Sequence, residues 1–156
     1  MTGVEERAVE RSTIRWDGPE SASLTVILAP GDRGRVEDPV PRAIAEGLAR
    51  AGVRVARFDA AVTAPGEHAQ RDAALERTIR EVAEGLKSRT LLLAGISRGA
   101  RVSAGLVQEL GAVALVGFAY PFHDRRDPDP QGRVEKLVAA GVPTLICQGT
   151  RDSHGK

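Results

Sequence analysis

In Thr90-Leu-Leu-Leu-Ala-Gly-Ile-Ser-Arg-Gly-Ala-Arg101 an apolar run meets Gly95-Ile-Ser-Arg-Gly99 and passes directly into a helix-like pattern. That order is the form of a nucleophile elbow, in which a strand ends in a tight turn with a serine at its tip and a helix follows. Glycines flank the serine for a steric reason, because the turn folds the chain back so closely that a Cβ at either position would strike the neighbouring strand or helix. The reading places the Ser97 hydroxyl at the C-terminal edge of a sheet, with orphan backbone N–H groups beside it.

Outward from this stretch the chain alternates apolar strands with amphipathic helices. Residues 1–9 read as a disordered lead-in, Val9–Trp16 as a weakly alternating edge strand, and Asp17–Ser21 as a turn. Ser23–Ala29 is an almost continuous apolar run, as expected of a strand covered on both faces. The loop Pro30-Gly-Asp-Arg-Gly34 follows it. The next helix has Asp38 to cap it, Pro39 at its first position, Val40, Ile44 and Leu48 on one face, and Gly52 to close it. Val53–Phe58 reads as a strand, and Gly66–Leu86 as a helix with Leu75, Ile79, Val82 and Leu86 on one stripe. The elbow helix is expected over Arg98–Leu110. A strand at Ala112–Ala119, a loop at Tyr120–Pro130, a short helix at Gly132–Ala140 and a strand at Val142–Cys147 complete the series. Strands alternating with helices predict an α/β fold, a three-layer, mostly parallel sheet with helices on both faces, in one domain spanning residues 1–156. In such sheets ligands bind beyond the C-terminal strand ends. The loop at Gly31, the loop after Phe58, Ser97 with Arg98, and the loops holding His123 and Asp152 converge there.

Composition narrows the partners. The 22 Lys and Arg nearly balance the 21 Asp and Glu in 156 residues, which leaves no footprint for nucleic acid or a membrane surface. No apolar stretch approaches membrane-spanning length, and the N-terminus has no signal-like apolar region. The single Cys147 sits in an apolar run, so a buried, reduced thiol and a cytoplasmic setting are expected. No metal-ligand cluster and no Walker-type loop stands out, so neither a metal nor another cofactor is expected.

Four stretches together resemble the small α/β-hydrolase-like family related to testis-expressed proteins, histone-acetyltransferase-complex subunits and dienelactone hydrolases. They are Leu28-Ala-Pro-Gly31, the elbow with Gly99-Ala-Arg101, Gly117-Phe-Ala-Tyr-Pro-Phe-His123, and Val142-Pro-Thr-Leu-Ile-Cys-Gln-Gly-Thr-Arg-Asp152. The resemblance implies an esterase-like serine hydrolase acting on a small ester or related carbonyl substrate. It makes Ser97 the nucleophile, the Arg98 and Asp32 backbone N–H groups the oxyanion donors, Gly31 and Arg33 substrate-binding positions, and Asp152 the acid of the triad. The family's catalytic His follows one further strand beyond the acid, and the chain ends at Lys156 before such a strand. The sequence therefore reads as a truncated member, or as a domain completed by a partner. His123 is the substitute base, on a loop leaving the sheet beside the elbow; His68 and His154 read as solvated surface residues.

Two departures bear on the chemistry. Pro30 stands where relatives often carry a His, and Asp32 puts a carboxylate beside the expected oxyanion site, for Arg98 and Arg33 to offset. Loss of the final strand would leave Val142–Cys147 as an apolar sheet edge, so a homodimer through the 142–147 edge is expected. Two other readings stand beside the hydrolase. One is a non-catalytic interaction module with the same fold. The other is a nucleotide-binding Rossmann-type domain, with Gly31–Gly34 as its phosphate loop and Asp59 as ribose acceptor.

Overall fold

β2 (Leu24–Ala29) and β4 (Thr90–Ile96) lie side by side in parallel, paired from Leu24 opposite Thr90 to Ala29 opposite Gly95. The structure is a computed structural model that describes residues 13–60, 67–86, 89–123 and 130–155. From β2 the chain runs through α1 (Pro39–Arg50) to β3 (Arg54–Phe58) on one side of β2. It then returns through α2 (His68–Glu84) to β4 on the other side. α3 (Arg98–Ala104) and α4 (Val107–Leu110) lead to β5 (Ala114–Phe118), and α5 (Pro130–Ala140) leads to β6 (Thr144–Cys147). With β1 (Ile14–Asp17) antiparallel to β3, the strand order is β1-β3-β2-β4-β5-β6.

This order fixes the layers. Crossovers between parallel strands are right-handed, so a chain that moves one way from β2 and the other way from β3 lays α1 and α2 on opposite faces. Even-numbered positions of β2 and β4, among them Val26, Leu28 and Ala94, pack with Val55 on Ala45 of α1. On the other face Ile27, Leu93 and Leu115 meet Leu75, Ile79 and Val82 of α2, Val102 of α3 and Val107 of α4. The sheet reverses its winding between β2 and β4, and the loop at Gly31 and the turn at Ser97 leave the sheet at that point. In open α/β sheets this switch point is where a ligand-sized crevice forms.

The predicted three-layer, mostly parallel sheet is present, with some local differences. Asp38 occupies the N-cap of α1, but its carboxylate accepts the Arg35 N–H upstream (2.8 Å) and makes no bond into the helix. Val40 is exposed; Pro41 and Ala45 carry the buried face instead. The elbow helix is not continuous to Leu110, because it breaks at Gly105 and restarts at Val107. Cys147 is exposed, not buried, because β6 is the edge strand and only β5 pairs with it. Leu145, on the same side of β6, is 59% exposed. The expected lead-in at residues 1–9 lies outside the described residues, as do residues 9–12 of the expected edge strand, Gly66 at the start of the 66–86 helix pattern, and residues 124–129 of the loop after β5.

One ion pair ties the antiparallel edge to the core. Arg57 is 7% exposed on β3, where its Nε donates to Asp17 of β1 (2.7 Å) and its Nη1 to the Val36 carbonyl. Arg54 stacks 5.0 Å from the Trp16 ring centre and donates to the Gly18 carbonyl (2.8 Å), so β1 and the turn after it are each held against β3. Among the described residues no helix is long and apolar enough to cross a membrane.

Burial separates two leucines of similar sequence context. Leu93 is fully buried in the centre of the sheet, so Leu93→Ala should lower unfolding stability by about 2–5 kcal/mol in urea titration. Leu145→Ala, on the open edge, should change it by no more than about 0.5 kcal/mol.

Candidate active site

Ser97 has φ 50° and ψ −113°, a backbone conformation that non-glycine residues rarely adopt. Its neighbours enforce it. A Cβ on Gly95 would stand 2.2 Å from the Gly99 carbonyl carbon and 2.3 Å from the Ala100 nitrogen. One on Gly99 would stand 2.4 Å from the Pro30 oxygen and 2.5 Å from the Ala29 oxygen. Both glycines are therefore needed for α3 to press against the ends of β2 and β4. The Ser97 N–H donates to the Phe118 carbonyl (2.8 Å), which anchors the turn to β5 as well.

The Gly31 loop lies directly alongside. A Cβ built on Gly31 would sit 3.4 Å from the Ile96 oxygen and 3.9 Å from the Ser97 Cβ. The described non-glycine residues with positive φ are Arg33 (58°), Ser97 (50°) and Ala119 (51°), following β2, β4 and β5 respectively. Strain of this kind gathers at functional sites, and here it marks the C-terminal edge of three adjacent strands. Arg33 and Asp32 are exposed on the loop.

Beside the elbow lies a group of charges that the sequence reading had only in part. Arg98, expected to offset the Asp32 charge, is 9% exposed. Its Nη1 donates to Asp72 (2.7 Å), and its Nη2 stands 2.6 Å from His68 Nδ1. Its Nε has no hydrogen-bond partner and lies 3.6 Å from an Asp32 oxygen. Arg101 reaches the same Asp72 oxygen at 2.8 Å, and Arg71 Nη1 reaches both Asp32 oxygens at 3.1 and 3.0 Å. A guanidinium has only donors, so His68 Nδ1 is the acceptor in this contact. Burial pushes the Asp72 carboxyl up, but the hydrogen bonds and charges of Arg101 and Arg98 outweigh it and hold the group below its ordinary value. The reading overlooked Arg71, Asp72 and Arg101. Their signal was the pair Arg71-Asp72 near the start of α2 and the i,i+3 spacing of Arg98 and Arg101.

Beyond the C-terminal ends of β5 and β6, Asp152, His123 and His154 share one loop cluster. The His123 N–H donates to the His154 carbonyl (3.0 Å), joining the loop after β5 to the loop after β6. Asp152 accepts the His154 N–H (2.9 Å) on one oxygen and Gln148 Nε2 (2.7 Å) on the other, and Gln148 also donates to the Tyr120 carbonyl (3.2 Å). Tyr120 is fully buried, with its hydroxyl on the Arg133 carbonyl (2.8 Å), and burial raises the pKa of its phenol. Among the described residues neither imidazole bonds to Asp152, and Ser97 Oγ makes no hydrogen bond. Asp59, the ribose acceptor of the nucleotide reading, takes the Val36 N–H (2.8 Å) and so serves as a local staple of the Gly34 loop. No group of three or more His, Cys, Asp or Glu among the described residues is placed to hold a metal ion.

The family model that describes an alpha/beta hydrolase domain matches residues 22–156. No curated protein matches the chain. Several solved structures share its fold at low identity. An α/β serine hydrolase without a lid from Xanthomonas campestris is 20% identical, with TM-score 0.64, over 88% of this chain and 78% of its own. An α/β serine hydrolase homologue from Coxiella burnetii is 21% identical, with TM-score 0.67, over 90% and 69%. Est1E from Butyrivibrio proteoclasticus, with ferulic acid bound, is 17% identical, with TM-score 0.69, over 92% and 76%.

The Asp72 cluster has a pH signature. A carboxyl whose pKa is depressed on folding contributes stability above its unfolded value, near 3.8, and that contribution is lost as pH falls through the folded value. Wild type should therefore exceed Asp72→Asn in stability at neutral pH, and the gap should close on acidification below about pH 4. Urea titrations of both proteins across that range read it directly. A gap that stays constant to about pH 2 would contradict the assignment.

Proposed function

The chain belongs to the α/β-hydrolase domain family, and on that premise we propose that it is a serine hydrolase acting on a small ester, lactone or related carbonyl substrate. The observation that carries the reading is Ser97 itself, held at φ 50° between two glycines that have no room for a side chain. A serine kept in that conformation at the switch point of the sheet has its hydroxyl where a substrate can reach it.

In this reading Ser97 Oγ attacks the carbonyl carbon while a base removes its proton, and the carbonyl oxygen becomes an oxyanion. The Arg98 and Asp32 backbone N–H groups are the donors assigned to that oxyanion, since the Gly31 loop lies against the Ser97 turn. Collapse of the tetrahedral species expels the alcohol, which takes up the proton. Water then attacks the acyl-serine and releases the acid. Asp152 is the assigned acid and His123 the assigned base. That role requires the exposed His123 ring to turn toward Ser97, because the two are not hydrogen-bonded in this structure. Gly31 leaves space for the substrate, and the exposed Arg33 gives the site a preference for substrates carrying an acidic group.

The uncoupled imidazoles favour a second reading, an interaction module that keeps the fold without turnover. A cytoplasmic setting and a single domain over residues 1–156 accompany either reading. A second copy pairing along the open edge of β6 accords with the exposed Leu145, and a monodisperse monomer in light scattering at high concentration would count against it.

A fluorophosphonate probe distinguishes the two functional readings. The hydrolase should be labelled on Ser97, and Ser97→Ala should lose labelling and lower hydrolysis of short acyl esters by about 10³-fold or more. A folded protein that does not react with the probe would leave the interaction module as the better reading.

A further inference from the structure

Asp32 presents a difficulty for the oxyanion site assigned above. The residue that lends its backbone N–H also carries a carboxylate, and a fixed negative charge close to a developing oxyanion opposes it. We infer that Arg71 is a positioning residue for the reaction: from α2 its guanidinium holds and neutralises the Asp32 carboxylate, so that the Gly31 loop can present its N–H to the oxyanion. This inference rests on the serine-hydrolase reading.

The geometry separates Arg71 from the other cations. Arg71 Nη1 is within 3.1 Å of both Asp32 oxygens, whereas Arg98 Nε approaches only one of them, at 3.6 Å. Arg98 directs its two terminal nitrogens elsewhere, to Asp72 and His68. Arg33, the cation adjacent in sequence, is exposed, and no ion pair from it to Asp32 is found among the described residues.

Burial adds to the effect. The Arg71 side chain is 10% exposed and that of Asp32 is 42% exposed, so the cation acts from the protein side, where solvent screens it least. The loop also needs an anchor. Arg33 adopts φ 58° immediately after Asp32, and Gly34 closes a turn onto the Gly31 carbonyl (3.0 Å). A strained loop keeps one conformation only where its surroundings over-determine it. The Arg71 contact spans 39 positions of sequence and ties this loop to the first turn of α2.

If neutralisation is the role, removing the cation should be harmful mainly because it leaves the carboxylate uncompensated. Removing the carboxylate as well should then restore function, as it would not for an arginine that only packs α2 against the sheet. The experiment measures the rate of fluorophosphonate labelling at Ser97 in wild type, Arg71→Met, Asp32→Asn and the double variant, with melting temperatures to establish folding. Arg71→Met should label on the order of tenfold to a hundredfold more slowly than wild type. The double variant should label at least about tenfold faster than Arg71→Met alone. Arg71→Gln serves the same comparison if Arg71→Met does not fold. A single variant as fast as wild type would overturn the inference, and so would a double variant as slow as the single one. Wild type that is folded and unreactive would instead remove the hydrolase reading, and this inference with it.

Discussion

The close approach of α3 to the ends of β2 and β4 is the contact on which the rest of the molecule depends. Gly95 and Gly99 meet backbone atoms of Gly99, Ala100, Ala29 and Pro30 at distances that exclude any side chain. Because the helix begins against the strand ends, the chain between them has to turn within the single residue Ser97, and that residue takes the strained conformation. The energy to hold it comes from the apolar layers on either side. Leu93 and Ile27 are fully buried beneath α2 and α3, and Val26 and Leu28 are almost wholly buried beneath α1. Strain of a few kcal/mol is tolerable only where such packing over-determines the backbone.

The sequence made the architecture legible because its signals are local and strong. Continuous apolar runs at 24–29 and 90–96 allow strands buried on both faces and little else, and the stripe Leu75, Ile79, Val82 allows one helix face. Given alternating strands and helices, handedness then determines the layers. The serine's position was legible for the same reason, since Gly-x-Ser-x-Gly between a strand and a helix is a local steric pattern. What escaped was non-local. The 142–147 strand was expected to be an open edge, yet the apolar neighbourhood of Cys147 still suggested burial; with β5 as its partner on one side only, β6 leaves that thiol exposed. Arg71 is 39 residues from Asp32, and only the crossover from β3 through α2 brings them together. The burial of Arg98 likewise depends on α2 supplying Asp72 and His68.

Burying Arg98 is costly unless its donors are used, and four of its contacts show how they are distributed. Asp72, the His68 carbonyl, His68 Nδ1 and the nearby Asp32 surround it, and Arg101 shares Asp72. Arg71 and Arg98 approach Asp32, and Arg98 and Arg101 approach Asp72, beside the turn that carries Ser97. A cluster of this kind specifies geometry more than it adds stability, because each ion gives up hydration to join it. It joins α2, α3 and the Gly31 loop into one unit on the β2–β4 side of the site.

The opposite side is built differently. Asp152 is held by Gln148 and by the His154 N–H, and His123 touches this loop only through its backbone. No strand beyond β6 is among the described residues to support these loops, and β6 itself is half open. The two halves of a serine-hydrolase site do not need equal rigidity. Oxyanion stabilisation acts through fixed dipoles and loses its value if they must reorganise, whereas an imidazole tolerates a longer bond until substrate is bound. On the proposed serine-hydrolase reading, the parts that must be fixed rest on the centre of the sheet, and the parts that can adjust rest on its edge. The division follows from strand order: the serine follows β4, flanked by strands on both sides, and the assigned acid follows β6, flanked on one.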